Sequence, residues 1–221
     1  MDTFHRRGTR RRHAGKPTMA SMISGALKPA VTRVIDPVAR LALRAGLTPN
    51  SVTILGAIGV IASAAYFYPK ERFFVGTILI CICALSDLFD GTMARISDKG
   101  ASAWGGFLDS TIDRITDSAI TIAILVPLIA LDDPLSYLGL VILVTSLLIP
   151  YIRAKSESFG IACSVGIAER TERLVLILTA IGLHGLGLSY ALAIGFWLLA
   201  ILGIITVGQR MLVVYRGLKL S

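Results

Sequence analysis

At 221 residues, with 54% hydrophobic side chains and a mean hydropathy of +0.74, the chain is more apolar than a soluble domain, whose apolar share is about 45–50% even with glycine counted. That excludes an ordinary water-soluble globule and indicates a polytopic membrane protein. The net charge of +8 arises from 22 Lys and Arg against 14 Asp and Glu, and the crowding of basic residues before position 45 suits an anionic membrane surface, whereas the absence of interleaved aromatic residues speaks against nucleic acid.

Residues 1–20, with their RRGTRRRH run, have the composition of a disordered basic tail on the cytoplasmic side. They are too polar for a cleaved signal peptide, because no apolar core follows the charges directly. Residues 21–221 read as one membrane domain. Between Ser21 and Ala45 the apolar positions Ile23, Leu27, Val31, Val34, Ile35, Val38 and Leu41 recur mostly at steps of three and four, with Lys28, Arg33, Arg40 and Arg44 among them. This predicts an amphipathic helix in the membrane interface, broken or bent near Pro37 and ended by Gly46. LTPNSVT then signals a turn and a helix start, with Asn50 or Ser51 as the cap.

Six apolar stretches approach the roughly 20 residues that a bilayer core requires. They run over about 51–69, 73–94, 105–131, 135–154, 174–188 and 190–212. All Lys and Arg except Lys70 and Arg72 fall on one side of that arrangement, which makes it the cytoplasmic side and puts both termini there. Cys81, Cys83 and Cys163 lie in or beside apolar segments without zinc or redox spacing and read as packing residues. His184 falls beside an outer loop and receives no role.

Charge concentrates at the cytoplasmic ends of the second and third stretches. Asp87 and Asp90 are three apart and Asp109 and Asp113 four apart, so each pair projects from one helix face. A short link makes the two helices antiparallel neighbours, which brings all four carboxylates to one level near the cytoplasmic surface. Charge at membrane depth is costly, and a divalent cation would relieve the repulsion; hard oxygen donors suit magnesium, calcium or manganese. Gly91 and Ala94 keep the first helix face small, Gly105 and Gly106 do the same on the second, and Arg95 offers a planar fork for phosphate oxygens. Metal ligands, space and an arginine together suit a diphosphate. The competing structural reading pairs the carboxylates with Arg95 and Arg114 as salt bridges, and is short of positive charge. Asp117, one turn beyond Asp113, reads as a partner for Arg114 or a neighbouring helix.

The pattern Asp87-x2-Asp90-Gly91-x2-Ala94-Arg95, nine residues, Gly105-x3-Asp109-x3-Asp113 resembles the signature of the CDP-alcohol phosphotransferases, membrane enzymes of lipid-headgroup synthesis, with a spacer one residue longer than usual. LTPNSVT, GFLDSTIDRITD and VGIAERTERL extend the resemblance, over most of the chain after Ser21, to the actinobacterial branch that uses inositol phosphate. The resemblance implies a homodimeric six-helix plasma-membrane enzyme whose polar active-site cavity opens to the cytoplasm. It implies transfer of a phosphatidyl group from CDP-diacylglycerol to inositol phosphate, with release of CMP. Two Mg2+ ions, or Mn2+, would sit on Asp87, Asp90, Asp109 and Asp113, and Asp113 would also take the proton of the attacking hydroxyl. Asn50, Ser51, Val52, Thr53, Gly91, Ala94, Arg95 and Ser102 would contact the CDP-diacylglycerol. Arg114, Arg153, Lys155, Arg170 and Arg173 would form the inositol-phosphate pocket. Glycerol phosphate in place of inositol phosphate is the alternative acceptor, and a divalent-cation transporter is the alternative of another class.

Overall fold

The computed structural model describes residues 35–97, 100, 102–167 and 169–220. The expected tail and most of the expected interfacial helix therefore lie outside the described residues. What is described of that helix, α1 (residues 35–44), runs without interruption through Pro37. It stops where expected: Gly46 takes the left-handed φ of +84°. The Gly46 and Leu47 N–H groups then donate back to the Leu43 and Ala42 carbonyls at 3.0 Å each, a turn that glycine closes without steric cost.

Helix α2 (Pro49–Phe67) begins earlier than the sequence suggests, with Thr48 rather than Asn50 or Ser51 at the cap. The Thr48 side chain accepts from Ser51 N–H while the Ser51 hydroxyl accepts from Thr48 N–H, and Pro49 fills the first helical position. The other elements are α3 (Phe73–Ala84), α4 (Ser86–Ile96), α5 (Ala103–Ala130), α6 (Leu135–Ser158), α7 (Arg170–Gly185) and α8 (Ser189–Leu220), with no strand among the described residues. Neighbour relations close into a ring in which α2 packs on α3, α3 on α7, α7 on α8, α8 on α6, α6 on α5 and α5 again on α2. Tyr68, Ile80, Ile124, Ile181 and Phe196, contributed by five different segments, share the core at its centre. Large apolar side chains such as Leu55, Ile58, Ile82, Trp197 and Ile204 remain exposed on the outside, as a surface in contact with lipid tails requires.

Four helical stretches are long and apolar enough to cross a membrane: Pro49–Lys70, Phe73–Ile96, Leu135–Ser158 and Ser189–Lys219. The other two expected spans are helical but fall short for identifiable reasons. Helix α5 has 28 residues but carries Asp109, Asp113, Arg114 and Asp117 in its first half. Helix α7 has only 16 residues; it starts at Arg170 rather than Leu174, which places Arg170 and Arg173 on one helical face.

The stretch expected as one helix over 73–94 is interrupted at Leu85, whose N–H turns to the Ile82 carbonyl at 3.3 Å and to that of Cys83. Close packing against α2 accompanies the break. A side chain at Gly56 would collide with the Ser86 side chain and come within 3.1 Å of the Cys83 carbonyl, and one at Gly59 would meet Cys83 Sγ at 2.6 Å. Two glycines thus let α2 press on the α3–α4 junction, and Asp87 falls in the first turn of α4, where the helix dipole favours a carboxylate.

Gly56→Ala tests this contact. Alanine gains roughly 1 kcal/mol in helix propensity, but overpacking typically costs about 1–3 kcal/mol, and here part of the opposing surface is backbone that cannot swing away. The expected result is a lower thermal unfolding midpoint in detergent for Gly56→Ala, with no such loss for Gly208→Ala, where an added methyl meets open space.

Candidate functional site

One end of the ring gathers the polar groups. The start of α2, all of α4, the first half of α5, the end of α6, the start of α7 and the end of α8 meet there, as alternating helix directions dictate. Asp90 is buried at 7% exposure and accepts a short hydrogen bond from Thr53 Oγ1, which ties α4 to the first turns of α2. Asn50, Ser51 and Val52 occupy the turn before it. A side chain at Gly105 would meet Ser102 Oγ and Asn50 Oδ1, at 3.1 and 3.3 Å, whereas Gly91 and Gly106 face open space. Ser102 caps α5 by accepting from Gly105 N–H at 2.9 Å. Arg95 Nη2 donates to Thr92 Oγ1 at 2.9 Å, on the last turn of α4 beside Ala94.

The short link does not make α4 and α5 packed neighbours: each packs mainly on α2, and Asp87 of α4 and Asp113 of α5 are joined through a third helix. Between them stands a guanidinium. Arg170 Nη1 donates to Asp87 Oδ2 at 2.9 Å, Nη2 lies 3.0 Å from Asp113 Oδ1, and Nε lies 3.5 Å from Asp117 Oδ1. The last contact is close enough for an ion pair but not aligned as a hydrogen bond, and both of its atoms are buried without a hydrogen-bond partner. Sequence reasoning placed Arg170 in the acceptor pocket and considered Arg95 and Arg114 as partners of the carboxylates. Arg114 does lie 3.7 Å from Asp113 Oδ2, with a short hydrogen bond to the Ser110 carbonyl, but Arg95 does not take that part. With Arg170 between them, no three acidic, His or Cys side chains among the described residues are drawn as close as a metal ion's ligands must be.

Behind this cluster lies a cavity of about 170 Å³ lined by Asp113, Arg114, Arg153, Arg170, Arg173 and Arg210, among others. Arg173 is buried at 8% exposure. Arg153 lies at the rim, its Nε donating to Glu157 Oε1 at 3.1 Å. Lys155 is outside this lining, with its ammonium 4.9 Å over the Phe159 ring.

Arg210 was missed by sequence reasoning. It is buried at 4% exposure, donates from Nε to the Val165 carbonyl at 2.9 Å and from Nη1 to the Ile149 carbonyl at 2.5 Å, and so fixes the α6–α7 link to α8. Gly166, at φ +148°, leaves room for this, since a side chain there would meet Thr206 and approach the Arg210 guanidinium. The available signal was a lone arginine inside the most apolar run of the chain, where an unpaired charge is expensive.

The family model for CDP-alcohol phosphatidyltransferase matches residues 46–208. A phosphatidylinositol phosphate synthase of Streptomyces avermitilis is 38% identical over 216 residues, covering 93% of this chain and 88% of that protein. One from Mycobacterium tuberculosis is 38% identical over 193 residues, covering 85% and 88%. Among solved structures, the Mycobacterium tuberculosis phosphatidylinositol phosphate synthase with CDP-DAG bound superposes with a TM-score of 0.78 at 40% identity, covering 83% of this chain and 94% of that one. The same enzyme in complex with manganese and citrate gives 0.76 at 40% identity, covering 81% and 88%.

Arg210→Ala should leave the Val165 and Ile149 carbonyls without their buried donor, a loss of about 1–3 kcal/mol. Hydrogen exchange over residues 161–167 should accelerate while that of α2 stays unchanged; equal acceleration in both would mean that Arg210 does not act through the link.

Proposed function

The chain belongs to the CDP-alcohol phosphatidyltransferase family, and from that premise we propose that it transfers the phosphatidyl group of CDP-diacylglycerol to inositol phosphate, yielding phosphatidylinositol phosphate and CMP. The observation that carries the reading is the adjacency of the carboxylates on α4 and α5 to a cavity lined by Arg114, Arg153, Arg173 and Arg210. A reaction centre for a diphosphate and a seat for a second, anionic reactant lie side by side, with Asp113 on the boundary. A divalent-cation transporter has no need of the second feature.

The donor set fits Mg2+ or Mn2+: Asp87, Asp90, Asp109 and Asp113 offer only hard oxygens, and the carboxylates outnumber the arginines that reach them. When bound, two such ions neutralise the diphosphate and the charge that develops as CMP departs. The remaining work belongs to the chain. Gly91, with open space before it, lets the diphosphate approach the α4 backbone, and Arg95 and Asn50–Thr53 border that space. Arg153, Arg173 and Arg210 hold the acceptor's phosphate so that one ring hydroxyl faces Asp113. That hydroxyl oxygen forms a bond to the phosphorus bearing the diacylglycerol, the bond from that phosphorus to the CMP oxygen breaks, and Asp113 takes the hydroxyl proton. Proton transfer by a positioned group of this kind is worth about 10²–10⁴-fold in rate.

The same reading takes α5 and α7 as further membrane crossings, giving six. The polar first half of α5 and the short length of α7 suit helices whose polar ends line a cavity rather than face lipid. It puts the polar end and both termini on the cytoplasmic side of the plasma membrane, where the water-soluble reactants are, and it takes the active form as a homodimer.

Purified protein with Mg2+ and CDP-diacylglycerol should release CMP with inositol phosphate and much less with free inositol. Release with glycerol phosphate alone would overturn the acceptor, and metal uptake into liposomes without CMP release would overturn the enzyme. Asp113→Asn should lower turnover at least about 10²-fold with an unchanged unfolding midpoint in Mg2+. Arg173→Ala should raise KM for the acceptor by about tenfold or more while leaving CDP-diacylglycerol binding intact.

A further inference from the structure

Arg170 stands where the two halves of the proposed site meet, and one position of its side chain cannot serve both. Its guanidinium, carried on α7, bridges Asp87 of α4 at 2.9 Å and Asp113 of α5 at 3.0 Å. Those two carboxylates belong to the proposed metal ligands. A divalent ion ligated at about 2.0–2.6 Å uses the same oxygen lone pairs, and its charge repels the arginine. Yet Arg170 also lines the cavity behind, together with Arg153, Arg173 and Arg210. On the cavity side its Nε faces Asp117 Oδ1 at 3.5 Å, and neither atom has a hydrogen-bond partner. The guanidinium therefore spans three carboxylates on two helices, and of the three contacts the one to Asp117 is the longest.

We propose that Arg170 is an exchangeable internal counter-ion: it bridges Asp87 and Asp113 while they hold no divalent ion, and is displaced past Asp117 into the arginine-lined cavity when they do. This rests on the reading that the carboxylates bind divalent cations. Without ions, Arg170 offsets the repulsion between the carboxylates of α4 and α5. With ions bound, the negative surplus is gone and the guanidinium loses its partners, while an anion in the cavity offers it new ones. Cation binding and anion binding then favour each other, and by linkage each raises the other's affinity by the same factor. Asp117 keeps the displaced arginine from being left as an uncompensated charge.

The test is Mn2+ binding by the full chain in detergent, read from the paramagnetic resonance of free Mn2+ without lipid substrate, with and without sulfate as the probe anion. In the wild type, sulfate should tighten Mn2+ binding several-fold. In Arg170→Gln, Mn2+ should bind roughly tenfold more tightly without sulfate, because the competitor is gone, and the sulfate effect should vanish. Arg170→Lys keeps the charge but cannot fork across two helices; it should also bind Mn2+ more tightly, an outcome that charge alone does not give. Both variants are purified in Mg2+ and exchanged. Their unfolding midpoints should fall below the wild type's in chelator and converge with it when Mn2+ is saturating. Wild-type affinity in Arg170→Gln, or a Lys variant indistinguishable from the wild type, would overturn the proposal. A wild type that binds no Mn2+ at all would remove the metal reading, and with it this one.

Discussion

Asp87 of α4 and Asp109, Asp113 and Asp117 of α5 repel one another at the polar end of the bundle, in a part of the chain continuous with apolar helix on both sides. Two unit charges about 4 Å apart interact by about 4 kcal/mol at an effective dielectric near 20, so the cluster has to be balanced in every state the protein visits. The surroundings supply that balance from several directions. Thr53 donates to Asp90 from α2, the break at Leu85 places Asp87 in the first turn of a new helix, and Arg170 reaches three of the carboxylates from α7. Each contribution comes from a different helix, so the site holds only if the ring of helices closes.

Closure in turn depends on where side chains are missing. Gly56 and Gly59 allow α2 to touch the α3–α4 junction, Gly139 accommodates Leu125 and Phe196 between α5, α6 and α8, and Gly203 seats Thr145. The Gly139 and Gly203 contacts lie along the length of the bundle, whereas the Gly56 contact adjoins Asp87. They set the distance between helices, and through it the reach of Arg170 and Arg210.

Local features were legible in the sequence because local rules produce them. The carboxylate pairs follow from spacing along a helix, the stop after α1 from the single glycine that can take φ > 0 there, and the signature from residues fixed within one short stretch. What escaped depends on partners far apart in the chain. Nothing near Arg170 in sequence says that it will face Asp87 and Asp113 as well as line the cavity, and Arg95 and Arg114, nearer in sequence, do not bridge those carboxylates. The break at Leu85 was invisible because what packs against it, Gly56, lies on another helix. Arg210 was visible but overlooked: a buried arginine in an apolar run needs acceptors, and here they are two main-chain carbonyls of α6 and the link that follows it.

The cavity also bears on which alcohol the proposed reaction takes. Its arginines come from α5, α6, α7 and α8 and converge on one volume, so an acceptor lacking a phosphate would forgo the charge-assisted contacts they offer. A site built to pair with a charged group rejects the uncharged analogue far more strongly than an apolar pocket rejects a missing methylene, which separates phosphorylated from free polyols. It does not separate one phosphorylated polyol from another, since both satisfy the same cations. On the proposed reading that second choice falls to the uncharged part of the lining, Ser146, Ile149, Pro150 and Thr171. On that reading charge selects the class of acceptor, and the α6–α7 wall, to which Arg210 is bonded, selects the member.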